Sequence, residues 1–282
     1  MSAYLLQVLQ TSCFLFGVKS VVIFLFIAVA TSSDELEKFV IVLSLILLGP
    51  SRLLKGGEVT RYVFIITLLL SAQAHAATSQ CFGTTSNGSL QGGVALPVSG
   101  ANFESYSRVA GWVGRTYVHS QVREIMLAAY DELAKSAPEK VFKYAETGFQ
   151  QGGKFRPHKT HQNGLSVDFM TPVQNDQGKS VHLPTHAFNK FGYNIEFDQQ
   201  GQYDGLTIDY EAMAAHIVAL HRQARQRGYN LWRVIFDPQL QPNLMNTAHG
   251  SYLRQHIQFS KKRSWVRHDE HYHVDFAIPC RP

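Results

Sequence analysis

The segment PHKTHQNGLSVDF (157–169) constrains the fold more than any other part of this chain, because it places three potential metal ligands around an Asn-Gly pair. The pair, Asn163-Gly164, disfavours a helix and favours a tight turn, after which residues 165–169 can run as a strand. Such a turn can fold His161 back beside Asp168. The segment therefore predicts half of a metal site, and the other ligands must come from elsewhere in the chain.

A second segment, RHDEHYHVDF (267–276), can supply them. Side chains alternate between the two faces of a strand, so His271 and His273 share one face, while Tyr272 points to the other face and packs there. His268 precedes the predicted strand, in a loop that can reach the same pocket. We therefore expect the fold to bring this strand next to the strand at 165–169.

Together the two segments offer as ligands His161, Asp168 and one histidine of the His271/His273 pair. Two imidazoles and one carboxylate with an open fourth position are typical of a catalytic zinc site, and we expect one Zn²⁺ per chain. Sites of this composition also hold other divalent ions. Because a chain with 13 histidines produces such pairs by chance, a histidine-rich metal-storage or sensing protein is an alternative.

The N-terminal part of the chain is apolar and contains the layout of a secretory signal peptide. Arg61 precedes a short apolar centre that ends in Ala74-His75-Ala76, which predicts a signal peptide over 59–76 and cleavage after Ala76. The domain at 77–282 is therefore expected to be exported to the periplasm.

Residues 1–58 form an N-terminal extension with two interpretations. Translation can begin near Val59, so that the extension is not made. Alternatively, the apolar runs 21–30 and 39–49 form a membrane hairpin, although each is shorter than the roughly 20 residues that a transmembrane helix needs. We expect contact with a membrane only in the second case.

Cysteine content and charge agree with export. Cys81 and Cys280 are the two cysteines beyond Ala76, and in an oxidising compartment they are expected to form one disulfide; two free, buried thiols are the alternative. Lys and Arg exceed Asp and Glu by 26 to 21, which suits an acidic polymer. No basic helix indicates a nucleic-acid partner, and the sequence sets no oligomeric state.

Helix and strand patterns alternate beyond residue 77 without a repeated strand–helix–strand unit, which predicts the α+β class. We expect a small, mainly antiparallel sheet flanked by helices, with the zinc site on the sheet. Two histidines on the second predicted helix, His216 and His221, are interpreted as surface or core-edge residues. The predicted elements are a helix at 120–138 with Ser120 as N-cap, a strand at 141–147, a helix at 210–228 capped by Asp209 and ended by Gly228, and strands at 231–237 and 271–278.

Two stretches, GGKFRPHKTHQNGLSVDF and RHDEHYHVDFAIPC, resemble the penicillin-insensitive murein endopeptidases, zinc peptidases related to lysostaphin-type and D-Ala-D-Ala metallopeptidases. The resemblance extends over residues 81–282. It implies as zinc ligands His161, Asp168 and His273. It further implies that His271 and His268 lie beside the catalytic water, and that His158 lies at the rim or in the second shell.

The resemblance implies an exported zinc metallopeptidase that hydrolyses the D-Ala–diaminopimelate cross-links of peptidoglycan without a serine nucleophile. We expect His271 to be the general base, because the strand holds it two residues from His273, with His268 sharing the proton or stabilising the oxyanion. Two alternatives are a D,D- or L,D-carboxypeptidase acting on murein stem peptides and a non-catalytic peptidoglycan-binding homologue.

Charged residues around the second segment have two interpretations each. A basic group can steer the acidic polymer into the site or form a solvated loop; its members are Lys261, Lys262, Arg263 and Arg267. Asp269 and Glu270 can accept hydrogen bonds from histidine N–H groups or remain solvated.

Overall fold

The computed structural model describes residues 12–18, 21–27, 78–264 and 266–282, with the backbone alone at 12–18 and 21–27. The chain divides into two compact units, Met1–Gln73 and Ala74–Pro282. In the first unit, strands β1 (Ser12–Val18) and β2 (Val21–Ile27) pair antiparallel. The predicted signal peptide at 59–76 and the second apolar run lie outside the described residues. Within the described part of the chain, no helix has the length and apolar character needed to cross a membrane.

The second unit contains short strands and five helices among its described residues. The strands are β3 (Gln80–Thr84), β4 (Asn87–Gln91), β5 (Val94–Ala95), β6 (Phe103–Ser105), β7 (Tyr117–Val118), β8 (Phe142–Tyr144), β9 (Ser166–Met170), β10 (Val173–Asn175), β11 (Ser180–Val181), β12 (Gln202–Tyr203), β13 (Leu206–Ile208), β14 (Asn230–Ile235) and β15 (His271–Ala277). The helices are α1 (Arg108–Trp112), α2 (Ser120–Ser136), α3 (Tyr210–Gln226), α4 (Gln241–Met245) and α5 (Gly250–His256), and a 3₁₀ segment spans Ala187–Gly192.

A five-stranded sheet with the order β14-β15-β9-β8-β6 forms the centre of this unit. Its strands pair antiparallel except for β6 and β8, which are parallel. A second sheet, β11-β10-β13-β12, is antiparallel throughout. The predicted α+β class with a mainly antiparallel sheet and flanking helices is therefore confirmed.

The two faces of the central sheet differ in chemistry. Tyr272 of β15 lies opposite Phe169 of β9, and their rings stack 5.4 Å apart on the face that α3 covers. The next pair in the register, His273 and Asp168, points to the opposite face. Packing therefore occupies one face, as predicted for Tyr272, and leaves the other face for polar side chains.

The helix predicted at 120–138 is α2, but its N-cap is His119 rather than Ser120. The Nδ1 atom of His119 accepts a hydrogen bond from the Gln121 N–H at 3.2 Å. The side chain of Ser120 is used elsewhere, because its Oγ accepts a hydrogen bond from the Ser79 N–H at 3.1 Å. Tertiary pairing with the segment before β3 therefore displaces the cap by one residue.

The helix predicted at 210–228 is α3, and its caps are as expected. Asp209 accepts a hydrogen bond from the Ala212 N–H at 3.0 Å, and Gly228 follows the helix with φ +79°. The prediction for His216 was wrong, because this side chain is fully buried beneath the sheet. It hydrogen-bonds the Tyr272 hydroxyl and stacks on Tyr130.

Cys81 and Cys280 form the predicted disulfide, which joins positions separated by 199 residues; the alternative of two free thiols is wrong. The chain on either side of the bond is also paired, since the Gly83 N–H donates to the Arg281 carbonyl at 2.8 Å and the Arg281 N–H donates to the Cys81 carbonyl at 2.9 Å. The disulfide therefore fastens β3 to the last residues of the chain.

Candidate metal and catalytic site

Strands β9 and β15 bring the two histidine segments together at one carboxylate. The Asp168 Oδ1 atom lies 2.8 Å from His273 Nδ1 and 3.2 Å from His161 Nε2. All three side chains are buried. The three ligands implied by the sequence resemblance therefore meet at a single point on the polar face of the central sheet.

The turn that carries His161 orients its ring. His161 has φ +68° and Gly164 has φ +76°, left-handed conformations that reverse the chain before β9. The Nδ1 atom of His161 lies 3.0 Å from the Thr147 carbonyl oxygen, to which it donates a hydrogen bond in the neutral ring. Nε2 then carries the lone pair, and although it lies near Asp168, it forms no hydrogen bond of good geometry with any described residue.

A second carboxylate fixes the ring of His273 in the same manner. Its Nε2 atom lies 2.9 Å from Asp275 Oδ1, opposite the nitrogen that faces Asp168. Asp275 also accepts hydrogen bonds from Ser166 Oγ and Arg233 Nε, each at 2.6 Å. A carboxylate that binds the outer nitrogen of a metal-binding histidine is a common feature of metal sites, because it sets the tautomer and the ring orientation.

Burial and charge act in opposite directions on these groups. Burial alone would raise the pKa of Asp168, but the neighbouring His161 and His271 lower it by a larger amount. The pKa therefore lies well below its usual range, and the carboxyl is ionised. Burial lowers the pKa of His161. Burial also lowers the pKa of His273, but the charge of Asp275 outweighs it and raises the pKa to about 10. At pH 7 the ionised Asp168 therefore lies beside a neutral His161 and a protonated His273, and His273 must lose that proton to bind a metal ion.

His158 lies closer to this cluster than a rim position suggests. Its Nδ1 atom is 3.7 Å from Asp168 Oδ2, and the donor atoms of His158, His161 and Asp168 lie within 4.8 Å of one another. Its Nε2 atom is held 2.8 Å from Glu146 Oε2. These three residues alone form a possible metal-binding group.

Glu146 is a buried acid that the sequence analysis did not identify. It accepts hydrogen bonds from the Tyr106 hydroxyl and from Arg115 Nε, both at 2.6 Å, in addition to its contact with His158. Burial raises its pKa, but His158 and Arg115 lower it more strongly, to about 2. Glu146 is therefore ionised at neutral pH, and its carboxylate orients the ring of His158.

His271 and His268 lie beside the cluster, with ring centroids 4.5 Å apart. His271 Nδ1 is 2.7 Å from Glu270 Oε1, and its Nε2 is 3.8 Å from Asp168 Oδ2. His268 Nδ1 is 3.0 Å from the Val266 carbonyl oxygen. Burial lowers the pKa of His271 to about 4 and that of His268 to about 3, so both rings are neutral at pH 7.

Three charged neighbours of these histidines, Asp269, Glu270 and Arg267, make contacts within the protein. Asp269 and Glu270 are buried, so the interpretation as solvated charges is wrong, and Glu270 is the partner of His271. Arg267 is paired with Asp237 at 2.5 Å and with Asp269 at 3.1 Å. Its charge is therefore neutralised within the protein and is not free to attract an acidic polymer. The other three members of the basic group are exposed.

The site opens into a cleft of about 570 Å³. Both catalytic candidates, His268 and His271, line it together with His158 and His273, whereas Asp168 and His161 are buried and do not line it. Exposed cations, Lys159 and Lys190, also line the cleft. Its other lining residues include Tyr106, Glu146, Phe191, Tyr193, Arg233 and Glu270.

Several residues around the site were missed by the sequence analysis. Asp275 had a usable signal, because it follows His271 and His273 at the same two-residue spacing along β15. Tyr193, whose hydroxyl donates to Asp168 Oδ2 at 3.1 Å, and Glu146 had none. They reach the site from segments that carry no local pattern connecting them to it.

The chain was compared with curated proteins and with protein-family models. A comparison with curated proteins gave no match. A protein-family model described as "Penicillin-insensitive murein endopeptidase" matches residues 81–281, more than two thirds of the chain and all of the site.

Proposed function

The chain belongs to the penicillin-insensitive murein endopeptidase family, and we propose that it is an exported zinc metallopeptidase that hydrolyses the D-Ala–diaminopimelate cross-links of peptidoglycan in the periplasm. Peptidoglycan hydrolysis follows from the family. The metal, the bond and the compartment are our proposals, as are the signal peptide at 59–76 and the peptidase domain at 77–282.

The observation that carries the proposal is the orientation of two histidine rings around Asp168. His161 and His273 each have one nitrogen engaged by an acceptor, Thr147 O and Asp275 Oδ1 respectively. Their other nitrogens lie 3.2 and 2.8 Å from the same Asp168 oxygen. The donor set is therefore pre-oriented and fits zinc, with His161, Asp168 and His273 as ligands. His158 is placed to join them.

A zinc ion at this site would lower the pKa of water towards 7 and polarise a carbonyl group. The protein must then supply a group that moves a proton from the attacking water to the leaving amine. His271 fits this role, because Glu270 engages its Nδ1 atom and leaves Nε2 on the side of Asp168. Burial raises the pKa of Glu270 to about 8, and in its ionised form Glu270 orients the ring as the third group does in catalytic triads.

His268 is suited to sharing that proton. Its Nδ1–H donates to the Val266 carbonyl oxygen in the neutral ring, so Nε2 carries a lone pair and accepts a proton. Nε2 carries no proton in this tautomer and so cannot donate to an oxyanion, although the pKa of about 3 also makes the ring a weak base. We therefore assign His268 the first of the two roles considered for it.

The test is digestion of cross-linked peptidoglycan by a protein comprising residues 77–282, with products separated by mass. Cross-linked dimers should fall to monomers, a chelator should block the reaction, and zinc should restore it. Release of D-Ala alone would instead identify a carboxypeptidase. A folded, zinc-loaded protein that gives no product would leave a peptidoglycan-binding role.

The assignment to the periplasm is tested separately, by sequencing the N-terminus of the protein isolated from cells. Cleavage after Ala76 gives a first residue at Ala77. A protein that retains residues before 59 would support the membrane-hairpin interpretation instead.

A further inference from the structure

Tyr193 reaches the candidate metal site from the segment between the two histidine motifs. It directly follows the 3₁₀ segment Ala187–Gly192, and its hydroxyl donates a hydrogen bond to Asp168 Oδ2 at 3.1 Å. Its ring lies 4.9 Å from that of His271 and 5.9 Å from that of His158, both at steep angles. One side chain therefore touches the central carboxylate and both flanking histidines.

The backbone before Tyr193 is held in an unfavourable conformation. Lys190 has φ +50° and Phe191 has φ +57°, and neither is a glycine. Consecutive residues in the left-handed region persist only where the surroundings require them, and they concentrate at functional sites. Two residues further along the chain, Tyr193 donates its hydroxyl hydrogen bond to Asp168.

Hydrogen bonds within this segment hold its shape, and one close approach places it against the sheet that carries Asp168. Asn189 Oδ1 accepts hydrogen bonds from the His186 and Gly192 N–H groups, both at 2.9 Å. A Cβ atom at Gly192, where φ is +100°, would lie 2.4 Å from Met170 Cε, so the backbone sits directly on a side chain of β9. The position of Tyr193 is therefore built into the fold.

The two oxygens of Asp168 have different partners. Oδ1 faces His161 Nε2 and His273 Nδ1, whereas Oδ2 receives the Tyr193 hydroxyl. A carboxylate with one oxygen held in this way cannot rotate freely about its χ2 bond. We propose, on the basis of the function proposed above, that Tyr193 is a positioning residue that holds Asp168 Oδ2 and thereby presents Oδ1 to the metal.

Tyr193→Phe tests this role, because it removes the hydroxyl and keeps the ring contacts. Loss of such an outer partner weakens metal binding about 10- to 100-fold. We expect that decrease in zinc affinity, measured by chelator competition without substrate, and a changed absorption spectrum of the Co²⁺-substituted protein. Turnover should recover at saturating zinc. Tyr229→Phe, at the turn between α3 and β14, is the matched control and should bind zinc as the wild type does.

The possible results separate this inference from the proposed function. If the wild type and Tyr193→Phe bind zinc equally well and give the same Co²⁺ spectrum, Tyr193 does not position Asp168, and only this inference is overturned. If Tyr193→Phe binds zinc normally but turns over slowly at saturating zinc, the hydroxyl acts on the substrate and the positioning role is again overturned. If the wild type binds no zinc, the proposed function is wrong, and the inference about Tyr193, which rests on it, is overturned as well.

Discussion

His216 should make the stability of this protein depend on pH in a way that one substitution can isolate. The ring is fully buried among aromatic side chains, and burial lowers its pKa from 6.5 to about 3. In the unfolded chain the same ring titrates near its ordinary value of about 6.5. Below that value the unfolded state binds a proton that the folded state does not, so stability is lost as the pH falls from 6.5 towards 3.

The magnitude follows from the two pKa values. Between pH 8 and pH 5, this group alone should lower the free energy of unfolding by about 2 kcal/mol. His216→Asn is the appropriate variant, because the Asn oxygen replaces Nδ1 as the acceptor for the Tyr272 hydroxyl while the titrating group is removed. The variant should be less stable than the wild type at pH 8, and this deficit should shrink by about 2 kcal/mol at pH 5.

The assay is urea unfolding at half-unit steps from pH 5 to pH 8, with the free energy extrapolated to water at each step. Other buried histidines titrate in both proteins, so their contributions cancel in the difference. His256→Asn, at an exposed position, is the control and should follow the wild-type curve. A constant difference between the wild type and His216→Asn across the pH range would refute the reasoning.

Three further predictions concern the disulfide and the site. The Cys81→Ala/Cys280→Ala protein should lose up to about 5 kcal/mol of unfolding free energy, the chain-entropy value for a loop closed over 199 residues; equal urea midpoints with and without the bond would contradict this. His271→Ala should lower kcat about 10²- to 10⁴-fold on a soluble cross-linked muropeptide while zinc affinity stays unchanged, and near-normal turnover would remove His271 as the general base. Asp275→Asn should weaken zinc binding about 10- to 100-fold in chelator competition, because His273 loses the charged acceptor of its outer nitrogen; wild-type affinity would show that this carboxylate does not act through His273.

The sequence predicted the elements whose pattern is local. The Asp209 cap and Gly228 define α3 because both act on the backbone of their own helix. The alternation along 271–277 correctly put Tyr272 on the packed face and His271 on the polar face. The adjacency of Asp168 and His273 could also be expected, because two motifs that are weak alone require each other to form a site.

Contacts made by segments distant in sequence could not be predicted in this way. Glu146 reaches His158 from the segment that follows β8, and Tyr193 reaches Asp168 from the end of a short 3₁₀ segment. The error at His216 has a related cause: α3 is buried over much of its circumference, so its periodicity does not tell which polar residue faces solvent. Similarly, Arg267 resembles a free surface cation in sequence, but Asp237 and Asp269 bind it.

The disulfide between β3 and the last residues of the chain holds the two ends of the domain close together. The Cα atoms of Cys81 and Cys280 are 4.8 Å apart, so a very short linker would suffice to join the two ends. Domains of this kind tolerate circular permutation and insertion into a loop of a host protein. New ends could be opened at exposed turns such as residues 176–178, between β10 and β11 and outside the residues that line the cleft.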